Sequence, residues 1–236
     1  MTTPLFRDDA YLESCTATVT SVTEHGGIVL DQTVFYPTGG GQPGDQGTLT
    51  TTAGETLLIA TTVTDRETGD IVHVPDGAQD LPAVGDSIAC TIDMDIRQAH
   101  MRCHTALHLL CAVVDYPVTG GQVGADKGRL DFDAPGATLD KDELTERLNA
   151  LIAQDHPVTT EWITDAELDA NPDLVRTMSV APPRGSGRVR MVRIGPVDYQ
   201  PCGGTHVLRT SEIGAARVVK IEKKGAQNRR VRIEIG

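Results

Sequence analysis

Two short stretches of this chain carry side chains that could hold a metal ion. His104 and His108 stand four apart in "HTALHLL", and Cys202 and His206 stand four apart in "CGGTHV". On a helix, residues four apart share a face with Cβ atoms roughly 5 to 6 Å apart, so the first pair could grip one ion. The second pair brackets Gly203 and Gly204, a turn flexible enough to aim both side chains at the same point. One thiolate with several imidazoles favours Zn2+ over magnesium or calcium. Taken alone, the histidine pair fits polar residues beside a buried stripe equally well. His100, one turn earlier, is a candidate for supporting the site or facing RNA, with an ordinary helix-surface residue as the alternative.

Other chemistries lack a required part. The residues between His104 and His108 are Thr, Ala and Leu, so there is no glutamate base of the kind a zinc protease places beside its first histidine. No GxSxG elbow and no phosphate-cradling glycine loop ahead of a helix occurs. The glycine-rich "PTGGGQPGDQG" at 37 to 47 lies between expected strands. It suits a tight hairpin connection, or a backbone that lets a ligand approach through Thr38, Gly39, Gly40, Gly41, Gln42 and Asp45.

These residues need elements to position them. From about residue 15 to 92, short β-rich segments such as "TATVTSV" and "TLLIATTV" alternate with turn signals, which predicts a small antiparallel barrel or sandwich. From Asp93 the period lengthens: Ile96, Ala99, Cys103, Leu107, Leu110 and Val114 form one helical stripe, with Asp93 or Asp95 as its cap. A second helix is expected over 140 to 154, then a strand in "HPVTTEWI", a short helix in "DAELDA", a strand in "GRVRMVRI", and paired strands in "AARVVKIEKK" and "RRVRIEIG". The predicted fold class is α+β: an N-terminal barrel over 1–92, then helices on a mainly antiparallel sheet over 93–236.

Composition narrows the partners. Five scattered cysteines with no CxxC pair argue against a disulfide framework. No apolar run approaches a membrane span, and the start "MTTPLFRDD" has no signal-like region, so a soluble cytoplasmic protein is expected. The net charge of −12 opposes general attraction to a polyanion. A nucleic-acid partner would need a local basic surface, and seven Lys or Arg against a single Glu between Arg217 and Arg232 offer one, with four more arginines in "RGSGRVRMVR" at 184 to 193. A solvated strand face is the plainer reading of that charge.

Together, "FYPTGGGQPGDQG", "RCHTALHLL", "DKGRLDF" and "CGGTHVLRTSEIG", spread over residues 35 to 214, resemble the AlaX-type trans-editing proteins, freestanding relatives of the editing domain of alanyl-tRNA synthetase. The resemblance implies hydrolysis of tRNA(Ala) mischarged with serine, with glycine as a further candidate, and a metal held by His104, His108, Cys202 and His206. It also implies the medium-length class, with no aminoacylation domain. Synthetase editing domains carry Gln-Lys-Gly downstream of the two histidines. Here Asp126 precedes Lys127, and no catalytic role is carried over to it.

The ester is already activated, so its hydrolysis needs a positioned water and support for the developing oxyanion. Four protein ligands would fill a tetrahedral shell, which points to a metal that binds and orients. Rejecting alanine requires a bond to the serine hydroxyl, for which Thr38, Gln42 and Thr105 are candidates. Lys220, Lys223, Lys224, Arg229 and Arg230 would meet tRNA phosphates. A noncatalytic zinc-stabilised RNA-binding module, and an editor of another tRNA such as Ser-tRNA(Thr), remain open alternatives. Monomer and homodimer are both compatible with the sequence.

Overall fold

The computed structural model describes residues 2–175 and 187–236, so Arg184, counted among the basic residues above, lies outside the described residues. The chain forms two compact units, Met1–Gln98 and Ala99–Gly236. The expected boundary after residue 92 marks the end of the last barrel strand. The division itself falls after Gln98, inside the first long helix.

In the first unit, β1 (Thr3–Pro4) runs parallel to β4 (Gln32–Thr33). Six further strands close an antiparallel barrel: β2 (Ser14–Val22), β3 (Ile28–Leu30), β5 (Gly47–Thr51), β6 (Thr56–Thr64), β7 (Ile71–Pro75) and β8 (Ser87–Ile92), in the order β2-β3-β7-β6-β5-β8. Strand periodicity decides the interior, because every second residue points inward. Ala17 and Val19, Leu57 and Ile59, and Ile88 and Cys90 follow that rule on three strands. Closure removes the edges on which such strands would pair with other chains.

The glycine-rich stretch answers two backbone demands. Gly39 and Gln42 exchange backbone hydrogen bonds of 3.1 and 2.9 Å. Between them Gly40 and Gly41 both have positive φ, 56° and 83°, as a two-residue hairpin turn of the primed kind requires. Further on, a Cβ at Gly44 would lie 1.9 Å from the carbonyl oxygen of Thr62, so only glycine lets these two backbone segments pass.

In the second unit, α1 (Met94–Val114) enters from the first, with the Asp93 carboxylate accepting from the Ile96 amide at 3.1 Å as its N-terminal cap. The sequence suggests one buried stripe. The structure instead buries every residue from Cys103 to Cys111, the behaviour of a helix packed on all sides. One sheet has the order β14-β15-β10-β9, built from β9 (Val118–Gln122), β10 (Lys127–Asp133), β14 (Ala216–Lys224) and β15 (Asn228–Ile235). Gly128 on β10 allows α1 to lie close, since a Cβ there would meet the Cys103 sulfur at 2.7 Å. Helix α2 (Lys141–Ala153), capped by Asp140, buries Leu144, Leu148 and Ile152. The second sheet, β11-β12-β13, comprises β11 (Val158–Thr164), β12 (Arg188–Ile194) and β13 (Asp198–Pro201), with the short α3 (Asp165–Asp169) after β11. The β9–β10 hairpin and β13 were not expected from the sequence. Among the described residues, no helix is long and apolar enough to cross a membrane.

Candidate metal centre

His104 and His108 project from adjacent turns of α1, and Cys202 and His206 come from the loop that follows β13. The four donor atoms all lie within 4.8 Å of one another. All three histidines are buried, and Cys202 is half-buried. Among the described residues, no other group of three or more His, Cys, Asp or Glu side chains is so placed. The Cys202 sulfur lies 3.6 Å from His104 Nε2 and 3.3 Å from His206 Nε2. In a tetrahedral zinc site with the usual bond lengths, sulfur and nitrogen ligands stand about 3.6 Å apart. The donor set and its spacing fit such an ion.

Neighbouring groups fix which ring nitrogen faces inward. The Asp198 carboxylate accepts from His108 Nδ1 at 2.8 Å and from Gln200 Nε2 at 2.9 Å, so His108 offers Nε2 to the cluster. The Thr105 hydroxyl donates to the Met101 carbonyl at 2.8 Å, which leaves its oxygen to accept from His206 Nδ1 at 3.1 Å. His206 therefore also presents Nε2. Such outer partners set the tautomer and orientation of metal-binding imidazoles.

Charge follows from the same geometry. Burial pushes the Cys202 thiol pKa up, but the nearby imidazoles, His104 foremost, outweigh it and hold the thiol well below its ordinary value. Burial also lowers His108, yet the Cys202 thiolate and the Asp198 carboxylate raise it to about 10. Burial and the neighbouring His104 drive His206 down to about 3. Without an ion the cluster therefore favours a Cys202 thiolate beside a charged His108 and a neutral His206, and a metal bound at His108 Nε2 would displace its proton. His100, one turn away, is buried rather than a surface residue.

Several expected ligand-binding residues are engaged in the fold. The Asp45 carboxylate is buried, accepts from the Tyr36 amide at 2.5 Å, and takes the guanidinium of Arg97, a partner not anticipated from sequence. Arg97 also donates to the carbonyls of Ala10 and Val34, so this pair locks the first unit. The Thr38 hydroxyl donates to Thr62 O at 3.2 Å and accepts from the Gly44 amide at 2.9 Å. Thr105 is committed to Met101 and His206, and also accepts from the Val207 amide at 3.3 Å. Its hydroxyl, expected to read a substrate hydroxyl, lies against the ring of His206. Gln42 is fully buried at the end of the glycine turn.

Of the expected phosphate contacts, Arg229 departs most: it is buried and donates to the Ala137 carbonyl at 3.3 Å. Arg230 grips Asp131 through two bonds of 2.6 and 2.7 Å. Lys220, Lys223 and Lys224 are exposed, with Lys220 near Glu222 at 3.2 Å. Sequence reasoning also missed Asp198 and Gln200. Their signal was present, because Asp198, Gln200 and Cys202 alternate and so share one face of an extended segment.

Residues 189–232 match the family described as the threonyl and alanyl tRNA synthetase second additional domain, and residues 8–96 match tRNA synthetases class II (A). An alanyl-tRNA editing protein AlaX-M of Methanosarcina barkeri is 37% identical over 98% of both chains. AlaX-L of Pyrococcus horikoshii is 31% identical over 98% of this chain and 57% of its own. The alanine–tRNA ligase of Halorubrum lacusprofundi is 36% identical over 94% of this chain and 24% of its own length. With the relative from M. barkeri aligned over nearly its whole length, this chain belongs to the AlaX family of alanyl-tRNA editing proteins.

Proposed function

We propose that this chain is an aminoacyl-tRNA deacylase that hydrolyses, in trans, the ester of tRNA(Ala) mischarged with serine or glycine, with one Zn2+ held by His104, His108, Cys202 and His206. The observation that carries this reading is the match, over nearly the full length of both chains, to a protein named for alanyl-tRNA editing. A bound Zn2+ would supply positive charge at which an ester carbonyl or a substrate hydroxyl is polarised and oriented.

The chain's own groups do the rest. Cys202 and the three histidines set the place of that charge. Asp198 and Thr105 hold the rings that frame it. Selection of serine over alanine needs a polar group that is left unpaired when alanine enters, which favours discrimination by bonding over discrimination by size. Gln42 is our candidate for this role. Its amide offers both a donor and an acceptor.

Lys220, Lys223 and Lys224 would meet tRNA phosphates. Cross-strand register supports a cationic surface there: Lys220 lies opposite Arg232, which lies opposite Arg129. Like charges placed side by side on a sheet are unfavourable unless something else offsets them. Glu222 pairs with Lys220 and Arg232, and Asp131 with Arg129 and Arg230. A polyanion laid across this row would add to that compensation.

The test is to incubate the purified protein with Ser-tRNA(Ala), Ala-tRNA(Ala) and Ser-tRNA(Thr) and follow deacylation at several salt concentrations. Rapid loss of serine from tRNA(Ala) alone, slowing as salt rises, is expected. Cleavage of Ser-tRNA(Thr) instead would reassign the substrate. Binding without cleavage of any of the three would favour a noncatalytic module whose closed four-ligand shell is purely structural.

A further inference from the structure

The loop that carries Cys202 and His206 contains two adjacent glycines, and nothing in its local sterics holds Gly203: a Cβ there would meet no atom within 4 Å, and its φ is not positive. A flexible loop of this kind loses entropy when it must hold two ligands at fixed separation. Something outside the loop has to supply the restraint.

Arg190 on β12 does so. Its Nη1 lies 2.9 Å from the carbonyl oxygen of Cys202 and 2.9 Å from that of Gly204, so the two hydrogens of one nitrogen close on the carbonyls either side of Gly203. The backbone reinforces this, because the Cys202 amide donates to the Arg190 carbonyl at 3.0 Å. Arg190 is only 7% exposed, which is unusual for a charged residue and strengthens each of these bonds. The Gly204 amide in turn lies 3.4 Å from the Cys202 sulfur, so fixing the Gly204 peptide also aims a donor at the thiolate.

From this geometry we propose that Arg190 is a positioning residue for the metal centre: it clamps the 202–204 turn so that the Cys202 sulfur, and through the same loop His206, stand ready at ligand spacing before any ion arrives. The proposal rests on the reading of the cluster as a metal centre. It adds that preorganisation of the loop comes from a side chain outside it. Arginine suits the task because its planar guanidinium fixes the directions of both Nη1 hydrogens, whereas the three donors of a lysine ammonium rotate on a flexible stem.

The test compares the unaltered protein, Arg190→Met and Arg190→Lys. Zinc affinity is measured by competition with a chromogenic chelator, the Co2+ absorption spectrum reports coordination, and circular dichroism without metal reports the fold. Arg190→Met is expected to bind zinc 10- to 100-fold more weakly, as loss of an outer support usually does, with an altered cobalt spectrum and an intact fold. Arg190→Lys should fall between, and it decides the matter if Arg190→Met does not fold. Zinc affinity and cobalt spectrum unchanged in Arg190→Lys, or in a folded Arg190→Met, would overturn the assignment. Failure of the unaltered protein to bind metal would instead remove the metal reading itself.

Discussion

Each unit of this molecule buries a polar cluster, and the two are built on opposite principles. In the first unit, Arg97 meets Asp45 and the carbonyls of Ala10 and Val34, so donors face acceptors and the group is satisfied from within. In the second, three imidazoles and a thiol turn toward one another, while Asp198 and Thr105 hold two of the rings from behind. A single cation can serve all four of these convergent donor atoms at once. Buried polarity by itself therefore marks neither structure nor function. What separates the two is whether donors and acceptors are matched inside the chain.

The contrast can be broken most forcefully at Asp45. Replacing Asp45 with Ala leaves the Arg97 charge buried without its carboxylate and should cost about 3 to 5 kcal/mol, measured as a shift in urea unfolding. If stability is unchanged, the pair is not the lock described here.

A second lever in the first unit is pH. His73 is enclosed between Thr33 and the Ile28 carbonyl, and burial lowers its pKa from 6.5 to about 4. Because the folded state disfavours the protonated ring, the stability tied to His73 is present above pH 6.5. It is lost as pH falls through the interval down to about 4, amounting to about 3 kcal/mol in full. Unfolding midpoints at pH 7 and pH 4 should draw closer together in His73→Gln than in the unaltered protein. Equal gaps in both would count against this.

The smallest expected effect sharpens the second unit. Thr105→Val removes the oxygen that accepts from His206 Nδ1, so metal affinity should fall about tenfold while the ratio of Ser-tRNA(Ala) to Ala-tRNA(Ala) cleavage stays the same. A changed ratio with unchanged metal affinity would restore Thr105 as a substrate reader and undo the assignment made from its hydrogen bonds.

Legibility in the sequence follows how local each signal is. His104 and His108, and Cys202 and His206, are four apart, and that spacing is readable without a fold. The barrel was readable because alternation and turn residues repeat along each strand. The Arg97–Asp45 pair was not, since its members are 52 residues apart and each looks like an ordinary surface charge. Asp45 was read toward a ligand for that reason. Arg229 and Arg230 illustrate a related difficulty: adjacent cations on one strand face opposite ways, one buried and one on the open face with Asp131. The hairpin of β9 and β10 escaped notice because Gly120 and Gly121 lie within its first strand, where glycine ordinarily signals a turn. Arg190 could not have been singled out among its neighbouring arginines until the carbonyls it spans were placed.

Two distant stretches of chain converge on one candidate metal site, and the proposed removal of serine from tRNA(Ala) depends on the ion held there. The most direct test is zinc content per chain, measured together with Ser-tRNA(Ala) deacylation, for the unaltered protein and for Cys202→Ala. The account predicts about one zinc in the unaltered protein, and loss of both zinc and deacylation in the variant. Undiminished deacylation by a metal-free Cys202→Ala protein would contradict it.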